Sequence, residues 1–177
     1  MAILAEEQFL QLVKKMAAYE EALSLIYWDL RTGAPKKGVD QRSEVIGILS
    51  SEIFSMSTSE EMIGYIDTLS ADDVYPALST TLQKMVKECK REYELNTKIP
   101  AEEHKEYTVL TTKAESVWEE AKEKADFKMF QPYLEEIVAY NRKFIEYWGY
   151  KDNKYNTLLD LYEPGMTVDV LDEVFGR

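Results

Sequence analysis

Apolar residues in this chain recur at spacings of three and four over long stretches, and nowhere do they alternate one by one between turn signals. That period belongs to helices with one buried face, not to strands. Phe9, Val13, Met16, Ala17, Leu23, Ile26 and Leu30 mark one long helix over residues 5 to 30. It must stop near Gly33-Ala34-Pro35, because proline lacks an N–H and turns its predecessor away from helix. A basic turn, Lys36-Lys37-Gly38, follows. A second helix is expected from Asp40 to Phe54, with Val45, Leu49 and Ile53 on its inner side. Thr58 with Glu61 fits a capping box and opens a third helix to Leu69.

Ser70 to Pro76 reads as a turn, and a fourth helix as Leu78 to Asn96. Ile99-Pro100 breaks the pattern, and Pro100 suits the first turn of a fifth helix reaching Lys124. Tyr107, Leu110, Ala114, Val117, Trp118 and Ala121 form its apolar stripe. Another helix spans Phe130 to Trp148, where Gly149 supplies the cap. A short helix covers Tyr155 to Leu161 and ends before Pro164-Gly165. Thr167 then caps a last amphipathic stretch with Val168, Leu171, Val174 and Phe175. The fold class is all-α, an array of long helices. The last stretch runs barely three turns before Arg177, which reads as an element cut short.

The 177 residues lie within the range of one domain. Their formal charge of -12 opposes general nucleic-acid binding, which needs clustered Lys and Arg, and docking on anionic membrane. No run of apolar residues approaches membrane-spanning length. The one cysteine, Cys89, forbids an internal disulfide and suits a reducing cytosol. Met85 to Arg91 around it has helical character, so a packed thiol is the natural reading.

Catalytic chemistry is hard to find. Zinc needs three or four ligands with His or Cys prominent, and a His-Glu-x-x-His site needs two imidazoles one helical turn apart. This chain has only His104, set in the polar run Glu102-Glu103-His104-Lys105-Glu106, which reads as a solvated surface histidine. No serine or cysteine is marked as a nucleophile beside a base. The acidic pairs Glu20-Glu21, Glu102-Glu103, Glu119-Glu120 and Glu135-Glu136 are adjacent in sequence and so diverge on a helix. They read as solvated faces. No catalytic residue and no metal ligand is assigned. The densest polar cluster is Tyr27-Trp28-Asp29, Thr32, Pro35, Gly38 and Arg42. An ion pair between Asp29 and Arg42 bracing a tight corner is its simplest reading.

At that cluster the sequence resembles a known family. Tyr27-Trp28-Asp29, Thr32, Ala34-Pro35, Gly38 and Arg42 are similar to the first motif of the thermostable carboxypeptidase Taq family of metallocarboxypeptidases, with Ala34 where that motif has Met. Ile99-Pro100 fits the opening of the corresponding helix. Trp118 to Ala121, Asp126-Phe127, Phe130 and Pro132-Tyr133-Leu134 resemble the next stretch. Tyr155, Leu158-Leu159-Asp160 and Tyr162-Glu163-Pro164-Gly165 resemble the one after. Trp28, Asp29 and Arg42 are thereby the structural corner of the family motif.

The resemblance implies a cytoplasmic, mostly helical and usually homodimeric enzyme that removes single residues from the C-termini of peptide substrates. It implies zinc or cobalt, bound by a His-Glu-x-x-His helix and a later Glu, with the motif Glu as general base on the metal-bound water. None of those residues lies within 1 to 177. The chain is therefore expected to be the N-terminal helical region, a wall or lid of the substrate groove, of a zincin-like metallocarboxypeptidase, inactive and metal-free alone. Its faces toward the missing part would be exposed and prone to association. The alternative is a free-standing helical interaction module without catalytic activity.

Overall fold

Side-chain caps set where several of the helices start. Ser59 Oγ accepts from Met62 N at 3.1 Å, and Ser79 Oγ accepts from Leu82 N at 3.2 Å. Asn153 and Thr167 do the same for Tyr155 N and Val170 N. Each oxygen satisfies a backbone donor that has no partner inside its helix. A computed structural model of the chain describes residues 2–176. Among them are eight α-helices and no strand. They are α1 (Ala2–Thr32), α2 (Val39–Ser57), α3 (Glu60–Leu69), α4 (Thr80–Asn96), α5 (Ala101–Glu123), α6 (Phe127–Trp148), α7 (Lys154–Tyr162) and α8 (Val168–Phe175). Short 3₁₀ turns fill Lys36–Gly38 and Tyr75–Ala77.

Two details of the sequence reading shift. The cap of α3 is Ser59, one residue beyond Thr58. Thr58 instead closes α2, donating its hydroxyl to the Phe54 carbonyl at 2.7 Å. Helix α6 begins at Phe127 and carries Pro132 inside it. Asp126 Oδ1 receives the Lys128 N–H at 3.1 Å and supports this earlier start.

The chain divides into two compact units, one ending at Tyr133 and the second beginning at Leu134. In the first, Phe9, Met16, Met62, Ile66, Leu69, Leu82 and Val86 form one buried cluster. They come from α1, α3 and α4, which join through helical stripes of apolar residues. Cys89 packs against this cluster as a partly buried thiol.

Helix α2 lies against both α1 and α5. Its buried residues are Ser43, Ile46, Gly47, Phe54 and Ser57, while Val45 is exposed. Of the expected inner face, Ile53 packs against the core cluster and Leu49 is partly buried, while Val45 turns outward. Small residues permit the close approach: a Cβ on Gly47 would stand 2.6 Å from Val109 Cγ2 of α5. The buried hydroxyls cost little because they use their own helix. Ser43 donates to the Val39 carbonyl at 2.9 Å, and Thr112 on α5 donates to the Thr108 carbonyl at 2.8 Å.

In the second unit the turns are tied by side chains. Thr157 Oγ1 donates to the carbonyl of Gly149, whose φ of +80° closes α6. Asp160 Oδ1 accepts from Gly165 N at 2.8 Å, and Gly165 has φ +87°. Asn156 Oδ1 accepts from Val168 N at 2.8 Å and holds the start of α8 against α7. The bond between Asp160 and Gly165 gives those two residues of the third sequence motif a physical role. Neither α7 nor α8 contains a buried residue.

Candidate functional site

The corner between α1 and α2 is built from backbone first. Gly33 N and Ala34 N both donate to the Asp29 carbonyl, at 2.9 and 2.8 Å, and end α1. Thr32 Oγ1 donates to the Trp28 carbonyl at 2.7 Å. Pro35 then turns the chain, and Gly38 N donates to the Pro35 carbonyl at 2.7 Å. With the chain reversed, Arg42 Nε reaches Asp29 Oδ2 at 2.6 Å. A Cβ on Gly38 would collide with the Arg42 guanidinium, so glycine leaves room for the pair.

The structure thus brings Asp29 and Arg42 together, half-buried. Trp28 stands outside that pair with 71% of its surface exposed. Two further links were not legible from spacing. Arg31 on α1 pairs with Glu115 and, at 3.4 Å, with Glu119 on α5. Lys113 on α5 lies 3.8 Å from Glu44 and 4.0 Å from Asp40 on α2. Three helices are therefore joined pairwise by opposite charges. The only signal in the sequence was the Glu115 and Glu119 spacing, which puts both carboxylates on one face of α5. Glu119 and Glu120 read as a solvated pair. Both keep contact with water; Glu119 also lies near Arg31, and Glu120 pairs with Lys124 along its own helix.

Trp118 is 43% exposed and carries Lys122 Nζ at 5.0 Å from its ring, so it is not part of a buried stripe. His104 departs from its reading in the opposite direction. Its ring stacks on Phe54 of α2 with centroids 4.2 Å apart, and its Nδ1 is buried without a hydrogen-bond partner. Burial holds its pKa below the usual histidine value. It is a packing residue between helices, not a solvated one.

The sequence profile of the carboxypeptidase Taq (M32) metallopeptidases matches residues 8–177. The chain belongs to that family. Carboxypeptidase 1 of Bacillus subtilis (strain 168) is 50% identical over 172 residues, covering 97% of this chain and 34% of that protein. Thermostable carboxypeptidase 1 of Pyrococcus furiosus is 30% identical over 169 residues, covering 96% and 33%. The BsuCP crystal structure matches with a TM-score of 0.94 at 49% identity, over 97% of this chain and 34% of that one. Trypanosoma cruzi metallocarboxypeptidase 1 gives 0.75 at 32% identity, over 99% and 35%. The chain spans about a third of the length of the M32 relatives it matches.

The M32 family is one of metallopeptidases. Among the described residues, no three His, Cys, Asp or Glu side chains converge as a metal-ligand group. His104, the one imidazole in the chain, is committed to its stack on Phe54. The residues present do not fit a catalytic metal centre, and no chemical step is assigned to them. Among the described residues, no helix is long and apolar enough to cross a membrane.

Proposed function

We propose that this chain is the N-terminal helical region of a metal-dependent carboxypeptidase that releases C-terminal residues from peptides. In this reading it forms a wall or lid of the groove that holds the peptide, and residues elsewhere in the enzyme hold zinc or cobalt. The observation that carries the reading is the 50% identity to Carboxypeptidase 1 of Bacillus subtilis over 97% of this chain and only 34% of that protein. The pairwise ion links among α1, α2 and α5 support it, since a groove wall must keep its shape while substrates exchange. Cytoplasmic location and a homodimeric parent complete the proposal.

The test replaces the matching third of the Bacillus subtilis protein with this chain. The chimera is expected to release C-terminal residues from free peptides and to spare peptides with amidated C-termini. The chain alone, supplied with zinc or cobalt, is expected to release nothing. A folded chimera without activity, or hydrolysis by the isolated chain, would overturn the proposal.

A further inference from the structure

The unit from Leu134 onward has helices but almost no interior. Phe144 and Ile145 are its buried residues in α6, and α7 and α8 add none. A helical piece of this size does not bury enough apolar surface to be stable uncovered. Its apolar side chains instead line a groove of about 640 Å³ between the C-terminal half of α6 and α7. Leu158 and Leu161 are among the lining, and Tyr162 stands at it with 89% of its surface exposed.

The charges of the groove are uneven. Its charged side chains are Arg142, Glu146 and Lys154. Glu146 and Lys154 pair with each other. Among the described residues Arg142 has no ion-pair partner. The groove is therefore apolar with one unmatched positive charge, on a chain whose net charge is -12. An apolar occupant carrying a carboxylate opposite Arg142 would match both features.

We infer that this groove is the seat of an apolar segment with an aspartate or glutamate, contributed by the part of the carboxypeptidase outside these residues. The inference rests on the proposed function. It is supported by the BsuCP structure, which keeps a closely similar backbone over 97% of this chain while this chain covers only 34% of that one. The groove is thus an internal docking surface, with Arg142 setting the register of the segment it receives.

The experiment places the photo-crosslinker p-benzoylphenylalanine at position 162 of the chimera with the Bacillus subtilis protein. Mass spectrometry is expected to find the cross-link in an acidic, apolar peptide from outside residues 1–177. Arg142→Glu should lower its yield by about tenfold, and Arg142→Lys should retain it. Cross-links to a second copy, to residues 1–133, or to nothing overturn the inference, as does a yield indifferent to Arg142→Glu. Loss of peptidase activity with the cross-link intact counts against the proposed function alone. If the chimera does not fold, hydrogen exchange on the isolated monomer decides. Uncovered α7 amides should exchange at least about a hundredfold faster than those of α3. Equal protection of α7 and α3 overturns the inference.

Discussion

Arg42 Nε donates to Asp29 Oδ2 at 2.6 Å, joining the first turn of α2 to the last turn of α1. Both side chains keep partial contact with water, 32% for Arg42 and 45% for Asp29. The pair is therefore weaker than a fully buried one, whose disruption leaves a stranded charge. A double-mutant cycle with Asp29→Ala and Arg42→Ala is expected to give a coupling of about 0.5–1 kcal/mol. Equilibrium urea unfolding of the four proteins measures it. Coupling indistinguishable from zero would show that the corner is held by its backbone bonds alone.

The same substitution has opposite signs at two helical glycines. A Cβ on Gly47 would stand 2.6 Å from Val109 Cγ2, a stiff side chain on the facing helix. Overpacking of about 1–3 kcal/mol then outweighs a helix-propensity gain of about 1 kcal/mol. Gly47→Ala is expected to destabilise, and adding Val109→Ala should recover part of the loss. Gly64 has open space at its Cβ, so Gly64→Ala should stabilise by about 0.5–1 kcal/mol. Shifts of the urea midpoint in these directions test the α2–α5 packing; a more stable Gly47→Ala would contradict it.

His104 gives the fold an acid-sensitive contact. Burial lowers its folded pKa below the unfolded value of about 6.5, so the unfolded chain takes up the proton first. Its contribution is fully present above the unfolded pKa. It is lost progressively as pH falls from there toward the folded pKa. Wild type should therefore lose stability faster between pH 7 and pH 5 than His104→Leu. Parallel pH profiles for the two proteins would show that the imidazole is solvated after all.

Cys89 should be a poor nucleophile in the folded chain. Burial, followed by the charges of Glu92, Glu88 and Glu20, pushes its thiol up to about 11. Little thiolate exists at pH 8, and thiolate is the reactive form. Reaction with a disulfide reagent should be slow in buffer and fast in denaturant. Equal rates in both would place the thiol on the open surface.

Much of the helical order was legible because periodicity and breakers act locally. Pro35, Pro100, Gly149 and Pro164-Gly165 each lie at a helix boundary, although Pro132 is carried inside α6, and the Phe9, Val13, Met16 spacing needs no knowledge of a partner. Cap positions slipped where two hydroxyls adjoin, as at Thr58 and Ser59, because both can bond backbone and only geometry selects which side each serves.

Faces were less legible than helices. Sequence hydropathy favoured Val45 on α2, yet Ser43 and Gly47 are buried, and at Gly47 a close neighbour on α5 excludes a larger side chain. His104 looked solvated beside Glu103 and Lys105, but neighbours in sequence point elsewhere on a helix. Arg31 and Glu115 are separated by 84 residues, and no local pattern joins them.

The sequence by itself determined the all-helical class and, through three motifs in order, the family of the chain. Those properties rest on backbone preferences and residue spacing, which each segment carries with it. The Asp29–Arg42 pair was already legible across its tight turn; only the tertiary structure decided that Arg31 meets Glu115, that His104 stacks on Phe54, and that the groove beside α7 has an unmatched Arg142. Such contacts depend on which helix faces lie within a few ångströms of one another, a relation between distant segments that spacing along the chain does not encode.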